Sequence, residues 1–252
     1  MLGNLPVHDV RRVDVNELID DIVKTSGLAS ANQVLKTIRA IFTWWQSRDD
    51  GFRSPIVRGM ARGSDTRRER TLTDDEIRKV WAACETCPGG HFVQFAILCA
   101  QRRDKIATMK WQDLQGDVWE VPTGPREKGT IGRVRLPPLA MQVLQKRPRF
   151  SGAPIFGRPH STALLRIRNV SGVHGWVAHD ARRTARSLMS RARVPTEISE
   201  LVLGHSIKGI QQVYDRHSYF EEKSHALAAL AQLIETILSP PADNVVALGV
   251  AS

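Results

Sequence analysis

Six side chains scattered along this chain have the chemistry to cut a phosphodiester. The densest group lies between His179 and Tyr214: His179-Asp180-Ala181-Arg182, then Val202-Leu203-Gly204-His205, then Tyr214. Ala181, Ala185, Leu188, Met189 and Ala192 recur at helical spacing, which predicts a helix starting at Asp180. His179 and Arg182, three apart, then share one face of it. Pro195-Thr196 predicts a second helix with proline in its first turn, and Gly204 closes that helix at the usual C-terminal position. His205 is thereby fixed on a turn. Two imidazoles, a guanidinium and a phenol are gathered in one compact substructure, a set suited to attack on a phosphodiester.

His179-x-x-Arg182, Leu203-Gly204-His205 and Tyr214 resemble the C-terminal motifs of the tyrosine recombinases, the phage integrase family. The phrases HDARRTARSLMSR, VLGH and VYDRHSY are similar to integrases of prophages and genomic islands. The resemblance implies a site-specific recombinase that cleaves and rejoins DNA through a 3′-phosphotyrosine, with Tyr214 as nucleophile. It also implies two further catalytic groups. Arg102, at the end of the apolar run Phe92 to Ala100, falls on the arginine of a family pattern Gly-x-Arg-x-x-Glu. Here Ala100 stands for the glycine and Lys105 for the acid. Lys128 lies between two short alternating runs, Val118 to Val121 and Val134 to Leu136, where the family carries a catalytic lysine on a hairpin turn. The implied catalytic set is Arg102, Lys128, His179, Arg182, His205 and Tyr214.

The elements that must position this set are mostly helical. The expected fold is α with a small antiparallel β-sheet: a tyrosine-recombinase catalytic domain over 71–238, preceded by a partial helical core-binding module over 1–50 and a basic linker over 51–70, and followed by a tail over 239–252. In the first segment Val15, Leu18, Ile19 and Ile22 mark one amphipathic helix. Ser30 or Asn32 is the expected cap of a second, carrying Val34, Leu35, Ile38, Ile41, Phe42 and Trp45. The stretch Leu28 to Trp45 resembles the last helix of the family's DNA-clasping domain, although the segment is shorter than a full one. Lys36 and Arg39 lie off the apolar stripe and are expected to touch DNA. The linker interleaves Arg62, Arg67, Arg68 and other arginines with Gly and Ser, as a strap over a phosphate backbone would. Arg103 and Arg183, beside the catalytic arginines, complete the expected DNA contacts. Thr73 to Glu76 form a capping box that opens the second domain. Leu227, Leu230, Ala231, Leu233, Ile234 and Ile237 give a terminal amphipathic helix, an element that family members dock on a neighbouring protomer.

Bulk properties agree with a polyanionic partner. The chain has 252 residues, 36 Lys and Arg against 26 Asp and Glu, and a net charge of +10. No apolar run approaches the ~20 residues of a membrane span, and no leader opens the chain, so a cytoplasmic, nucleoid-associated protein is expected. Three cysteines make no disulfide framework. Cys84-x-x-Cys87 lacks a second pair for zinc and reads as two thiols at a helix end. No Gly-Lys-Ser/Thr loop or carboxylate cluster calls for nucleotide or paired magnesium, so no cofactor is expected. The expected partners are double-stranded DNA at an attachment site, further copies of the chain in a tetramer, and DNA-bending or directionality proteins. Three other readings stay open: a non-catalytic DNA-binding remnant, a type IB topoisomerase-like relaxing enzyme and a metal-dependent nuclease. His8-Asp9-Val10-Arg11-Arg12 repeats the HDxRR string of the site without a Gly-His or tyrosine behind it. HxxR alone is therefore weak; the downstream residues decide.

Overall fold

The computed structural model describes residues 5–63, 69–124, 131–157, 161–205 and 217–240. The chain divides into two compact units, Met1–Arg68 and Glu69–Ser252.

The first unit is built on α1 (Arg12–Ser26) and α2 (Leu28–Gln46). Val15 and Ile19 from α1 meet Ala31, Leu35 and Phe42 from α2 in its core. These are i, i+4 spacings, so each helix buries one stripe. A single residue joins the helices: Gly27, at φ +84°, ends α1 and precedes α2. The second helix therefore starts before Ser30 and Asn32, and neither caps it. Asn32 instead exchanges hydrogen bonds with the backbone of Arg62, at 3.0 and 3.2 Å. The stretch expected to be a basic linker folds back onto this unit as far as Gly63. Phe52 and Met60 are buried in the same core, and Arg12 donates to the carbonyl of Pro55 at 3.2 Å. Apolar residues at 52, 56 and 60, hidden among the arginines, are the reason.

The second unit wraps around α4 (Gly90–Cys99), in which every residue except His91 is buried. It packs against α3 (Asp74–Thr86), α5 (Arg103–Thr108), α6 (Pro138–Gln145), α7 (Ser161–Ser171), α8 (Ala178–Arg191) and α10 (Phe220–Leu238). A helix apolar on all sides has to sit at the centre. Gly90 lets α4 begin against the end of α3: a Cβ there would lie 1.9 Å from the Cys84 carbonyl oxygen. The capping box of α3 is formed, Glu76 N–H donating to Thr73 Oγ1 and Thr73 N–H to Glu76 Oε2. Cys84 and Cys87 are buried at the end of that helix, and desolvation holds the Cys84 thiol protonated.

The sheet has three antiparallel strands in the order β1-β2-β3 (Leu114–Gln115, Val118–Glu120, Arg133–Arg135), one more than the two alternating runs show. β1 is too short to leave a period. Trp119 pairs with Val134 on the buried face. The sheet is tied to α10, since Arg135 N–H donates to Ser224 Oγ at 3.1 Å and the buried Lys223 ammonium donates to the Ile131 carbonyl. α10 lays Leu227, Leu230, Ala231, Ile234 and Ile237 into the core of its own unit. Helix α7 was not visible in the sequence; of its apolar residues only Ile167 is fully buried. Among the described residues no helix is long and apolar enough to cross a membrane.

Candidate active site

Two chain segments far apart in sequence meet at the end of α4. The first is Ala100-Gln101-Arg102, which leaves α4 and enters α5. Ala100 adopts the left-handed conformation, φ +55° and ψ +19°, and is buried. This is the position where the family pattern carries glycine, and the sign of φ supplies the reason. The second segment is the end of α9 (Thr196–Val202). Gly204, at φ +65°, turns the chain; its N–H donates to the Leu201 carbonyl and that of His205 to the Glu200 carbonyl. This pair of bonds is the Schellman arrangement, and it fixes where His205 stands. Gln101 laces the two segments together, its buried Nε2 donating to the carbonyls of Val202 at 2.6 Å and Cys99 at 3.0 Å.

Helix α8 carries the central cation between them. It begins at Ala178, two residues earlier than the periodicity predicts, because Asp180 acts within the first turn: its Oδ2 accepts from Val177 N–H at 2.9 Å. Arg182 is buried, at 5% exposure. Its Nη1 donates to the Ala100 carbonyl at 2.7 Å, its Nη2 to the Leu203 carbonyl at 2.6 Å, and Nη2 lies 3.1 Å from His205 Nε2. Burial, then the neighbouring Arg102 charge, lowers its pKa to about 10. It remains a cation at neutral pH. Arg102 is half-buried and reaches the Gly204 carbonyl through two long bonds, 3.4 and 3.3 Å. Among the described residues neither guanidinium is hydrogen-bonded to a carboxylate. Among the described residues these two adjacent cations are held by backbone carbonyls and the His205 ring alone, an arrangement that favours an anion able to accept from both.

The remaining expected residues are placed as follows. His179 lies exposed in the first turn of α8. Partial desolvation, then the charges of Arg183 and Arg182, lowers its pKa below the ordinary 6.5, so the ring is neutral and able to accept a proton near pH 7. Lys128 and Tyr214 lie outside the described residues, as do Arg67 and Arg68 and the tail from 241 on. Lys105 does not stand in for the acid that would buttress Arg102; its ammonium donates to the Pro122 carbonyl. Of the expected DNA contacts, Lys36 and Arg39 are exposed on α2. Arg62 is not offered as a strap: it bonds Asp20 at 2.6 Å, Asn16 at 3.1 Å and the Met60 carbonyl at 3.1 Å. Arg103 is exposed beside Asp104. Arg183 pairs with the fully buried Asp180 at 2.6 Å.

Sequence reasoning passed over three groups here: Gln101, Glu200 and Arg186. Glu200 Oε2 lies 2.6 Å from His205 Nδ1, and its Oε1 accepts from Arg186 Nε at 3.0 Å. A signal for Glu200 was available, since a glycine closing a helix brings the residue in its last turn back beside the one after the glycine.

No protein-family model and no curated protein matches the chain. Solved structures do. A lambda integrase tetramer bound to a Holliday junction superposes with a TM-score of 0.61 at 19% identity, over 82% of this chain and 68% of that one. The Tn1549 transposon integrase in complex with circular intermediate DNA gives 0.60 at 16%, over 92% and 87%. The XerH site-specific recombinase bound to its difH substrate gives 0.57 at 15%, over 82% and 68%. A mostly helical chain with a small three-stranded antiparallel sheet matches those folds: the chain has the tyrosine-recombinase fold.

Proposed function

We propose that this chain is a site-specific DNA recombinase that cleaves and rejoins DNA through a 3′-phosphotyrosine, with Glu69–Ser252 as its catalytic domain and Met1–Arg68 as a DNA-clasping module. The observation that carries the reading is the pair Arg102 and Arg182, adjacent, cationic and, among the described residues, bonded to backbone carbonyls and the His205 ring but to no carboxylate. A phosphodiester brings one negative charge to such a pair, and its transition state spreads more onto the nonbridging oxygens. Planar guanidinium groups suit those oxygens better than ammonium would. Donors already in place when that charge develops contribute about 3 kcal/mol each to lowering the barrier.

The covalent step balances without an outside reagent. Tyr214 Oη forms a bond to phosphorus, and the bond from phosphorus to the 5′-oxygen breaks. A phenol with a pKa near ~10 must lose its proton to attack well; His179, held neutral, is the acceptor. Lys128 returns a proton to the departing 5′-oxygen. The phosphotyrosine keeps the energy of the original diester, so a second 5′-hydroxyl reverses the step on a new partner strand. The exposed Lys36 and Arg39 supply phosphate contacts from the first unit. The lambda neighbour, a tetramer on a Holliday junction, supports strand exchange by four copies on double-stranded DNA at an attachment site; proteins that bend the DNA or set direction belong to the same proposal.

A second reading, a DNA-binding chain without cleavage, is favoured by Lys105, which stands at the acid's position and donates to the Pro122 carbonyl, while among the described residues no carboxylate is hydrogen-bonded to Arg102. One experiment separates the two. A nicked suicide duplex carrying the attachment site is incubated with the full chain and with Tyr214→Phe. The recombinase reading expects a covalent protein–DNA adduct from the first and none from the second. Salt-sensitive binding with no adduct from either supports the non-catalytic reading.

A further inference from the structure

Glu200 and His205 are joined twice. The turn at Gly204 makes the His205 backbone N–H donate to the Glu200 carbonyl at 3.0 Å, and the same geometry brings Glu200 Oε2 to 2.6 Å from His205 Nδ1. The other carboxylate oxygen is held from α8, where Arg186 Nε donates to it at 3.0 Å and Arg186 Nη1 donates on to Ser190 Oγ at 2.6 Å. Burial works to raise the Glu200 pKa, but the hydrogen bonds from His205 and Arg186 outweigh it and the net shift is downward, so the carboxylate is ionised at neutral pH. An ionised carboxylate only accepts, which means that Nδ1 carries the ring proton. Nε2 then presents its lone pair, and Arg182 Nη2 lies 3.1 Å away on that side.

We propose that Glu200 is a positioning residue: it locks His205 as the Nδ1-protonated imidazole, with Nε2 aimed at the guanidinium pair and the phosphate between them. The chemical meaning of this rests on the recombinase reading; the tautomer does not. Once a phosphate oxygen enters beside Arg182 and Arg102, a proton taken up at Nε2 is shared with that oxygen, and Glu200 at the far nitrogen balances the imidazolium. Arg186 offsets the carboxylate's own charge, so that it does not repel the incoming anion as a bare glutamate would. Among the described residues the charged groups that face the ring are Glu200 from α9 and Arg182 from α8, with Arg102 on the adjoining Gly204 carbonyl. Fastening α9 to α8 does not require the Nδ1 contact, because the Arg186 bond already does that.

The test uses the full chain with ¹⁵N-labelled histidine, assigning the His205 ring by its loss in His205→Ala, and measures tautomer and adduct formation together. The wild type is expected to show Nδ1–H. Glu200→Ala is expected to move the ring to the Nε2–H form that free imidazole prefers and to cut adduct formation about 10–100-fold, as loss of a carboxylate behind a functional histidine does elsewhere. Glu200→Gln keeps an acceptor for Nδ1–H, so it is expected to hold the tautomer and to fall between the other two in rate. It also serves as the folded control should the alanine variant be unstable. An Nε2–H ring in the wild type overturns the proposal. So does a Glu200 variant that loses the tautomer yet cleaves at the wild-type rate. If no variant, wild type included, forms an adduct, the recombinase reading fails, and the ring spectra still decide what Glu200 does.

Discussion

The string His-Asp-x-Arg-Arg occurs twice in this chain and makes two different things. At residues 8–12 it lies on the surface of the first unit. His8 sits edge-on to Trp45 and Phe52 and 3.3 Å from Asp49, Arg11 pairs with Asp14 three residues on, and Arg12 reaches the Pro55 carbonyl. At residues 179–183 the same letters start α8. There Asp180 is fully buried under the helix N-terminus and Arg182 is enclosed by the carbonyls of Ala100 and Leu203. The arginine of the second copy is supplied with carbonyls by two segments, 82 and 21 residues distant; its counterpart in the first, Arg11, stays exposed and pairs with Asp14 three residues on, although His8 and Arg12 reach distant partners. A motif becomes a site when distant backbone closes around it.

The contrast can be broken most forcefully at the arginines. Arg182→Ala should reduce adduct formation by about 10²–10³-fold, as removal of one transition-state donor does. It should also lower unfolding free energy in urea by roughly 2–4 kcal/mol, because two buried carbonyls lose their donors. Arg182→Lys should keep most of the loss, since an ammonium has no planar fork to bridge both carbonyls. Arg11→Ala should leave rate and melting temperature within error; equal damage from the two substitutions would void the comparison. Next come the aspartates. Asp180→Ala should cost roughly 2 kcal/mol in the same urea measurement, through the lost bond to Val177 N–H and the stranded Arg183, whereas Asp9→Ala should cost nothing measurable.

Smaller effects sharpen the picture. Ala100→Gly should raise stability by ~0.5 kcal/mol, because a left-handed φ of +55° strains any Cβ-bearing residue; a loss would mean that the alanine methyl's packing outweighs the strain. His179 gives a pH signature. Its folded-state pKa is depressed, so the folded chain binds fewer protons than the unfolded one. Stability should therefore fall as pH drops from 6.5 through the depressed value, and the proton-accepting form should be fully present above 6.5. The acid limb of adduct formation is then expected below pH 6.5, moving upward in Arg183→Gln as one of the three depressing charges, those of Arg183, Arg182 and Arg102, is removed. A limb at or above 6.5 in the wild type would take His179 out of the proton transfer.

Much of this was legible beforehand where a local rule is strong. The Thr73–Glu76 box, the all-apolar α4, the glycine closing α9 and the alternation around Trp119 each announce themselves within a few residues. The departure at Ala100 was visible as well, and the left-handed backbone explains the glycine of the family pattern while leaving the alanine strained. What stayed hidden depends on long-range closure or on very short elements. β1 has two residues. Asn32 looks like a helix cap, yet its partner is the backbone of Arg62, 30 residues away. The arginine-rich stretch after Asp50 conceals Phe52 and Met60, which commit it to the first core. The carboxylate behind His205 was missed because attention went to groups able to touch phosphate, while Glu200 touches the group that does.

The chain contains two tyrosines, Tyr214 and Tyr219, and they provide the most direct test. Tyr219 caps the start of α10 in a left-handed conformation, its ring 4.7 Å edge-on from that of His217. The adduct trapped on a suicide duplex is digested with protease and nuclease, and the peptide bearing the nucleotide remnant is sequenced by mass spectrometry. The remnant is expected on Tyr214. Its appearance on Tyr219 or on any other side chain, or a trapped complex that falls apart in denaturant, would contradict the account.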